Sequence, residues 1–403
     1  MRFVIKMGIE KYAKKEVAAL MAQAGSSTRA SVGPIEGMIN LGAGDPDFNQ
    51  PEFINKAVYE AMKAGETHYS FTGEPDFKEA IAKYYKKYGV DIDPKTQVLI
   101  TSGGSQAIFQ AFAAILNPGE ELLVLDPAYT GYNTPIAYFG AKMTRAKQTK
   151  DKNGIFRPDF ANIEAAITPK TKAILFCTPD NPTGTVWTKD ELKKLAEICV
   201  KHDILAISDE IYTEFIWGGK KHETIIDLPG MWERTIVLMS FSKTFAWTGC
   251  RAGYIISGPE LMKALAAVPV GICSVPVPFQ KAAVKALGEG WDFVKSMRTE
   301  YEKRINYMTD RLNKIPGIKC AKPEGAFYLF PDISSYGIPS MKFAMEFFQK
   351  EKVRCAPGSG YGPSGEGHIR FALVRPIEDL KEVCDRLERY VKNLPPQAPP
   401  TVP

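Results

Sequence analysis

Apolar residues in the middle of the chain fall in short, nearly uninterrupted runs at 97–101, 121–125, 173–177, 204–208, 235–239 and 253–256. Runs of this length, rich in Val, Ile and Leu and without the alternation of a half-exposed strand, predict strands buried on both faces. Before and between them the spacing changes to that of helices, at 51–63, 74–88, 107–116 and 188–201. Thr188 with Glu191 three residues on predicts a capping box at the start of the last of these. Strands alternating with helices predict an α/β fold: three layers around a mostly parallel central sheet. In such sheets ligands sit at the carboxyl ends of the strands.

Beyond about residue 290 the texture changes. A charged helix at 291–315, a strand at 325–330, a helix at 340–352, a strand at 368–373 and a helix at 377–391 predict a smaller α+β domain. At the other end, an amphipathic stretch (9–21) and a polar linker (25–28) read as an arm. The expected organisation is an N-terminal arm and part of the small domain over 1–45, a large ligand-binding domain over 46–289 and the C-terminal small domain over 290–393. A proline-rich tail, expected to be disordered, occupies 394–403.

Composition narrows the classes. A chain of 403 residues, 45% hydrophobic, has enough apolar surface for a large core and two domains. The net charge of +5 comes from 51 basic against 46 acidic residues with no basic block, so nucleic acid is not implied. Seven scattered cysteines without a C-x-x-C pair fit reduced thiols better than a disulfide framework or zinc site. The four histidines lie too far apart to suggest a metal cluster. No apolar run reaches the roughly 18 residues of a membrane span, and the N-terminus meets charge too early for a secretory signal. A cytoplasmic protein is expected.

The candidate chemistry sits where the strand runs end. After 97–101 comes Gly103-Gly104-Ser105-Gln106, after 121–125 comes Asp126-Pro127-Ala128-Tyr129, and after 173–177 comes Asn181-Pro182-Thr183-Gly184. The run 204–208 leads into Asp209-Glu210-Ile211-Tyr212, and 235–239 into Ser240-Phe241-Ser242-Lys243, with Arg251 eight residues further. A lysine at the end of a buried strand is a candidate Schiff-base former, because desolvation and neighbouring cations leave its amine nucleophilic. Ser240, Ser242 and Arg251 are donors suited to a phosphate. Taken alone such a lysine is more often a solvated surface residue; the set of motifs decides otherwise.

Together these motifs, in this order and spacing from about Gly44 to Arg370, resemble the class I/II pyridoxal-phosphate-dependent aminotransferases of the aspartate-aminotransferase fold (fold type I). The resemblance implies pyridoxal 5′-phosphate as cofactor and a role for each matching residue. Lys243 matches the lysine that forms the Schiff base and shuttles the substrate proton. Asp209 matches the partner of the pyridinium nitrogen, while Asn181 and Tyr212 match the pair that binds the ring's phenolic oxygen. Gly104, Ser105, Ser240 and Arg251 match the phosphate site, and Tyr129 the aromatic residue stacked on the ring, where many relatives carry tryptophan. Arg370 and Gly44 match the grip on the substrate α-carboxylate, and Asn181 is expected to contact the substrate as well. Tyr69 matches a tyrosine that crosses to a partner's phosphate, which implies a homodimer with shared sites.

The implied reaction transfers the amino group of an L-amino acid to a 2-oxo acid by a ping-pong mechanism. A lyase of the same fold, a C–S lyase or an aminocyclopropane-carboxylate-synthase-like enzyme, would use the same lysine, aspartate and tyrosine and is the alternative. Where relatives often read Thr-Gly-Trp-Arg this chain has Thr248-Gly249-Cys250-Arg251, which keeps the arginine spacing. The apolar segment Val268-Pro269-Val270-Gly271-Ile272-Cys273 favours neutral or aromatic substrate side chains, and no second cation for an acidic side chain is evident.

Overall fold

The buried apolar runs become strands of one sheet. The computed structural model describes residues 12–24, 35–270, 273 and 275–394. Its central sheet comprises β1 (Val98–Thr101), β2 (Glu121–Asp126), β3 (Lys142–Lys147), β4 (Thr171–Cys177), β5 (Leu205–Asp209), β6 (Thr235–Ser240) and β7 (Gly253–Ser257). The strand order is β1-β7-β6-β5-β4-β2-β3. Strand β2 shows why both faces are covered: Leu122 and Val124 enter one apolar cluster with residues of the helix Gly103–Ile115, and Leu123 and Leu125 enter another with residues of the helix Lys189–Lys201. Successive side chains of a strand point to opposite faces, so a strand covered on both sides must be apolar at every position. The capping box of Lys189–Lys201 forms as expected, Thr188 and Glu191 each bonding the other's backbone N–H.

Every strand pair is parallel except the two made by β7, which runs antiparallel to β1 and β6. That reversal positions the site. Gly253, the first residue of β7, lies beside Ser240 and Thr101, the last residues of β6 and β1. Arg251, two residues earlier, therefore arrives at the same edge as the carboxyl ends of the parallel strands.

The C-terminal part supplies a second sheet of β8 (Tyr328–Leu329), β9 (Ala356–Pro357) and β10 (Ile369–Ala372), antiparallel in the order β8-β10-β9. Its companions include the helices Ser340–Glu351 and Ile377–Lys392. Ile39–Asn40 pairs in parallel with Val353–Arg354, which ties the segment leading to Gly44 to this part of the chain. A buried arginine on the long helix Trp291–Leu312 anchors the residues just beyond: Arg304 donates to Asp47 Oδ1 at 2.7 Å, Glu300 Oε1 at 3.0 Å and the Leu373 carbonyl at 3.0 Å.

Several expectations shift by local physics. The helix expected at 74–88 is Pro75–Tyr85 followed by a 3₁₀ turn, Lys86–Tyr88, that ends where Gly89 takes a φ of 78°. The strand expected at 325–330 shrinks to Tyr328–Leu329, because Gly325 and Ala326 send their N–H groups to the carbonyls of Gly184 and Phe215 and Ala326 turns to a φ of 57°. The arm's helix is Lys15–Ala24; the start of the amphipathic stretch, the linker at 25–28 and the tail from 395 lie outside the described residues. The edge strand β3 escapes a reading based on buried runs, since it begins and ends on exposed lysines.

Arg304→Met should lower the urea midpoint by the equivalent of about 2 kcal/mol, because Asp47 and the Leu373 carbonyl lose a charged donor. Lys303→Met, at an exposed position one residue away, serves as the control and should leave the midpoint within about 0.5 kcal/mol.

Candidate active site

A cavity of about 430 Å³ opens at the edge where the parallel strands end. Strand β6 runs into a single helical turn, Phe241–Thr244, capped by Ser240, whose hydroxyl accepts from the Ser242 N–H at 3.1 Å and lies 2.9 Å from the Ser242 hydroxyl. This turn carries Lys243, whose Nζ donates to the Gly44 carbonyl at 2.5 Å. Desolvation lowers the Lys243 pKa to about 8; the positive charges of Arg370 and Arg251 act in the same direction, against Asp45 and Asp209. The loop after Lys243 holds Ala246 and Arg251 at φ values of 52° and 56°, a conformation that costs a non-glycine residue energy and recurs at functional sites. Glycine is required at position 44, where a Cβ would stand 2.1 Å from the Tyr328 hydroxyl.

Asp209, the last residue of β5, is buried and accepts a bond from the Tyr132 hydroxyl at 2.6 Å. Burial raises its pKa to about 6, opposed by the bonds from Tyr132 and the Ile211 N–H. The Tyr212 and Tyr328 hydroxyls lie 2.8 Å apart. Arg370, on β10, donates to Asn181 Oδ1 at 3.2 Å and to the Gly42 carbonyl at 2.6 Å, with its guanidinium over the rings of Tyr328 (4.5 Å) and Tyr361 (5.5 Å). Its buried Nε has no hydrogen-bond partner. Arg251 donates to the carbonyls of Thr248 (2.7 Å) and Ser102 (3.1 Å) beside the start of the helix Gly103–Ile115. Gly103, at a φ of 73°, lets that guanidinium approach, since a Cβ there would lie 2.6 Å from its Nη2. Gly104 has room for a side chain and presents its backbone N–H at the helix start. Among the described residues no carboxylate pairs with Arg251 or Arg370. The cavity thus holds two guanidinium groups able to take anions, one of them at a helix N-terminus.

Comparison with known proteins agrees with this geometry. The family model for aminotransferase class I and II matches residues 36–387. The chain belongs to that family. Aromatic-amino-acid aminotransferase 2 of Thermococcus litoralis is 40% identical over 364 residues, 89% of this chain and 93% of the relative. The aspartate aminotransferase of Pyrococcus abyssi is 37% identical over 361 residues, 88% of this chain and 92% of the relative. The crystal structure of an aromatic aminotransferase from Pyrococcus horikoshii, 37% identical, matches with a TM-score of 0.84 over 89% of this chain and 96% of that one. The chain is therefore an aminotransferase-family enzyme with the fold of its aspartate and aromatic relatives.

Within this aminotransferase scaffold, Gly44, Gly104, Ser105, Tyr129, Asn181, Asp209, Tyr212, Ser240, Lys243, Arg251 and Arg370 all line the one cavity. Tyr69 does not; it is 77% exposed, with its ring 6.3 Å from that of the equally prominent Phe71. Sequence reasoning missed Tyr132, Tyr328 and Tyr361, and placed Gly103 in a turn motif without giving it a role of its own. Tyr132 stands one helical turn after Tyr129, a spacing that could have flagged it. Tyr328 lay inside a run read only as a strand.

Replacing Asp209 by Asn tests the cost of the buried carboxylate in the ligand-free protein. A folded-state pKa raised from 3.8 to about 6 means that the native state binds more protons than the unfolded state between those values, so stability is lost as pH rises through the window. Asp209→Asn should accordingly stabilise the ligand-free protein by about 2 kcal/mol at pH 7.5 and by almost nothing at pH 3.5. Thermal melts at the two pH values, with turnover measured alongside, check both the gain in stability and the expected loss of activity.

Proposed function

We propose that this chain is a pyridoxal 5′-phosphate-dependent aminotransferase that moves the amino group of an L-amino acid to a 2-oxo acid in two half-reactions of ping-pong form. The observation that carries the reading is the Lys243 amine, desolvated to a pKa of about 8 in the same cavity as buried Asp209 and two arginines that have no acidic partner among the described residues. The residues present suit the cofactor. Arg251, Ser240, Ser105 and the N–H groups at the start of the helix Gly103–Ile115 would hold its phosphate, Asp209 its ring nitrogen, Asn181 and Tyr212 its phenolic oxygen, and Tyr129 one ring face. Bound there, pyridoxal phosphate supplies an electron sink for the charge that develops at the substrate α-carbon.

The chain's own groups do the rest. Lys243 would hold the cofactor and would carry the substrate α-proton on Nζ, for which an amine with a lowered pKa is suited. Arg370 grips the substrate carboxylate through its guanidinium N–H groups. The Tyr212 hydroxyl orients the ring oxygen. Lys243, Arg251 and Arg370 are the only cations among the described residues lining the cavity, whose lining also includes Tyr129, Tyr328, Tyr361, Ala356 and Pro357. We read this as selection of an uncharged, aromatic or large apolar side chain over a carboxylate. The lyase outcome is not favoured, since relatives at 33–40% identity over most of the chain carry aminotransferase names.

Mixing the reconstituted enzyme with excess L-tyrosine, L-phenylalanine or L-aspartate, without any 2-oxo acid, checks the reaction and its donor. The expected outcome is a change in the cofactor's visible band and about one oxo acid per site, faster with the aromatic donors; Lys243→Ala should slow this by at least about 1,000-fold while still binding cofactor. Continuous release of ammonia or thiol would replace transamination by the lyase reading, and preference for aspartate would overturn the substrate class.

The same reading assigns Tyr69, exposed in the single chain, to the phosphate of a partner subunit in a homodimer. Mixed, refolded Lys243→Ala and Tyr69→Ala subunits should then show more activity than either variant alone, approaching about a quarter of wild type, because one site of each mixed dimer is intact. A fully active monomer by light scattering would remove the shared-site assignment.

A further inference from the structure

Tyr328 lies outside every motif that carries the family resemblance, yet it touches three parts of the site. It is buried on β8, held opposite Ala372 of the strand that carries Arg370. Its hydroxyl lies 2.8 Å from that of Tyr212, and its ring face supports the Arg370 guanidinium at 4.5 Å. Its hydroxyl end also occupies the space a side chain at position 44 would need, next to the carbonyl that accepts from Lys243. The Tyr212 and Tyr328 rings meet edge to face, 5.5 Å apart at 80°, so the hydroxyl pair is fixed by ring contacts as well as by the hydrogen bond.

We propose that Tyr328 is a positioning residue that couples Tyr212 to Arg370, so that one side chain sets both the contact to the cofactor's phenolic oxygen and the grip on the substrate carboxylate. This inference rests on the pyridoxal-phosphate reading. When an anionic oxygen accepts a hydrogen bond from the Tyr212 hydroxyl, the Tyr212 oxygen becomes the acceptor for the Tyr328 hydroxyl, and a donor on that oxygen makes Tyr212 the stronger donor in turn. The aromatic face under Arg370 meanwhile holds the guanidinium in place by cation–π attraction without consuming a further hydrogen-bond donor. The other titratable groups around the pair are Cys177, Tyr129, Tyr301 and Tyr361, with Arg370 the charged neighbour of Tyr328.

The hydroxyl and the ring predict separable effects. In full-length protein reconstituted with pyridoxal phosphate, Tyr328→Phe removes the hydroxyl and keeps the ring. The pH midpoint at which the visible band of the bound cofactor titrates should rise by about 0.5 to 1 unit, the size of one weakened hydrogen bond. The kcat should fall about 3- to 10-fold while the KM for the amino donor stays within about 3-fold. In a Tyr212→Phe background the same change should produce no further shift of the midpoint, because the relay has already been cut. An unchanged midpoint in Tyr328→Phe overturns the proposal, and so does an equal shift in the Tyr212→Phe background, which would mean that the phenol acts by another route. Wild-type protein that takes up no pyridoxal phosphate defeats the cofactor reading itself, and this inference with it. Melting of the cofactor-free variants confirms that each is folded before the titrations are compared.

Discussion

The site depends on positive charge that the protein itself leaves unbalanced. Lys243, Arg251 and Arg370 converge on one cavity, and the nearest groups to all three are largely backbone carbonyls: Gly44 for the lysine, Thr248 and Ser102 for one arginine, Gly42 for the other. Carbonyl dipoles solvate a cation without neutralising it. In a partly water-excluded space the field of these groups therefore remains available to a ligand, and the two guanidinium groups add to the desolvation that lowers the pKa of the lysine amine. Carboxylates paired with Arg251 and Arg370 would give a more self-sufficient structure with less attraction for a phosphate or a carboxylate.

The fold makes this convergence possible through a single reversal of strand direction. In an all-parallel sheet the carboxyl ends offer turns and helix N-termini, which supply backbone N–H groups and short polar side chains. Strand β7, running the other way, presents its entry loop at the same edge. That loop can be long enough to bring a flexible cation back over the helix Gly103–Ile115, and it does so with Arg251 in a left-handed backbone conformation. The C-terminal sheet contributes from the opposite side, where the pairing of Tyr328 with Ala372 places an aromatic face and a guanidinium on neighbouring strands.

Much of this was legible because it is local. Asn181-Pro182, Asp209-Glu210 and Ser240-Phe241-Ser242-Lys243 each follow a buried apolar run within four residues, so once the runs are read as strands of one parallel sheet their ends must share an edge. What escaped is what depends on contacts between distant segments. Tyr132 reaches Asp209 across 77 positions and Tyr328 reaches Tyr212 across 116, and neither chain position carries a local mark of its partner. The truncated strand at 325–330 has the same origin, since its first N–H groups are claimed by carbonyls more than 100 residues away. Tyr69 is a different case, because its neighbours in a single chain leave it exposed and its assignment rests on the family resemblance.

The buried charges also explain why such a site is a poor place to look for stability. Asp209, with its pKa raised to about 6, and Lys243, with its pKa lowered to about 8, are each biased toward the neutral form, yet both are mainly charged at neutral pH. The two costs run in opposite directions with pH: that of the carboxylate grows as pH rises through about 6, and that of the amine is relieved only as pH rises above about 8. Near neutrality both are present together, so the ligand-free protein is strained where it acts. A ligand that places a cationic ring nitrogen by Asp209, anions at Arg251 and Arg370 and a carbonyl carbon at Lys243 relieves these costs at the same time. The strain in the ligand-free site and its affinity for a molecule of that shape are then one property, and relieving the first by mutation must weaken the second.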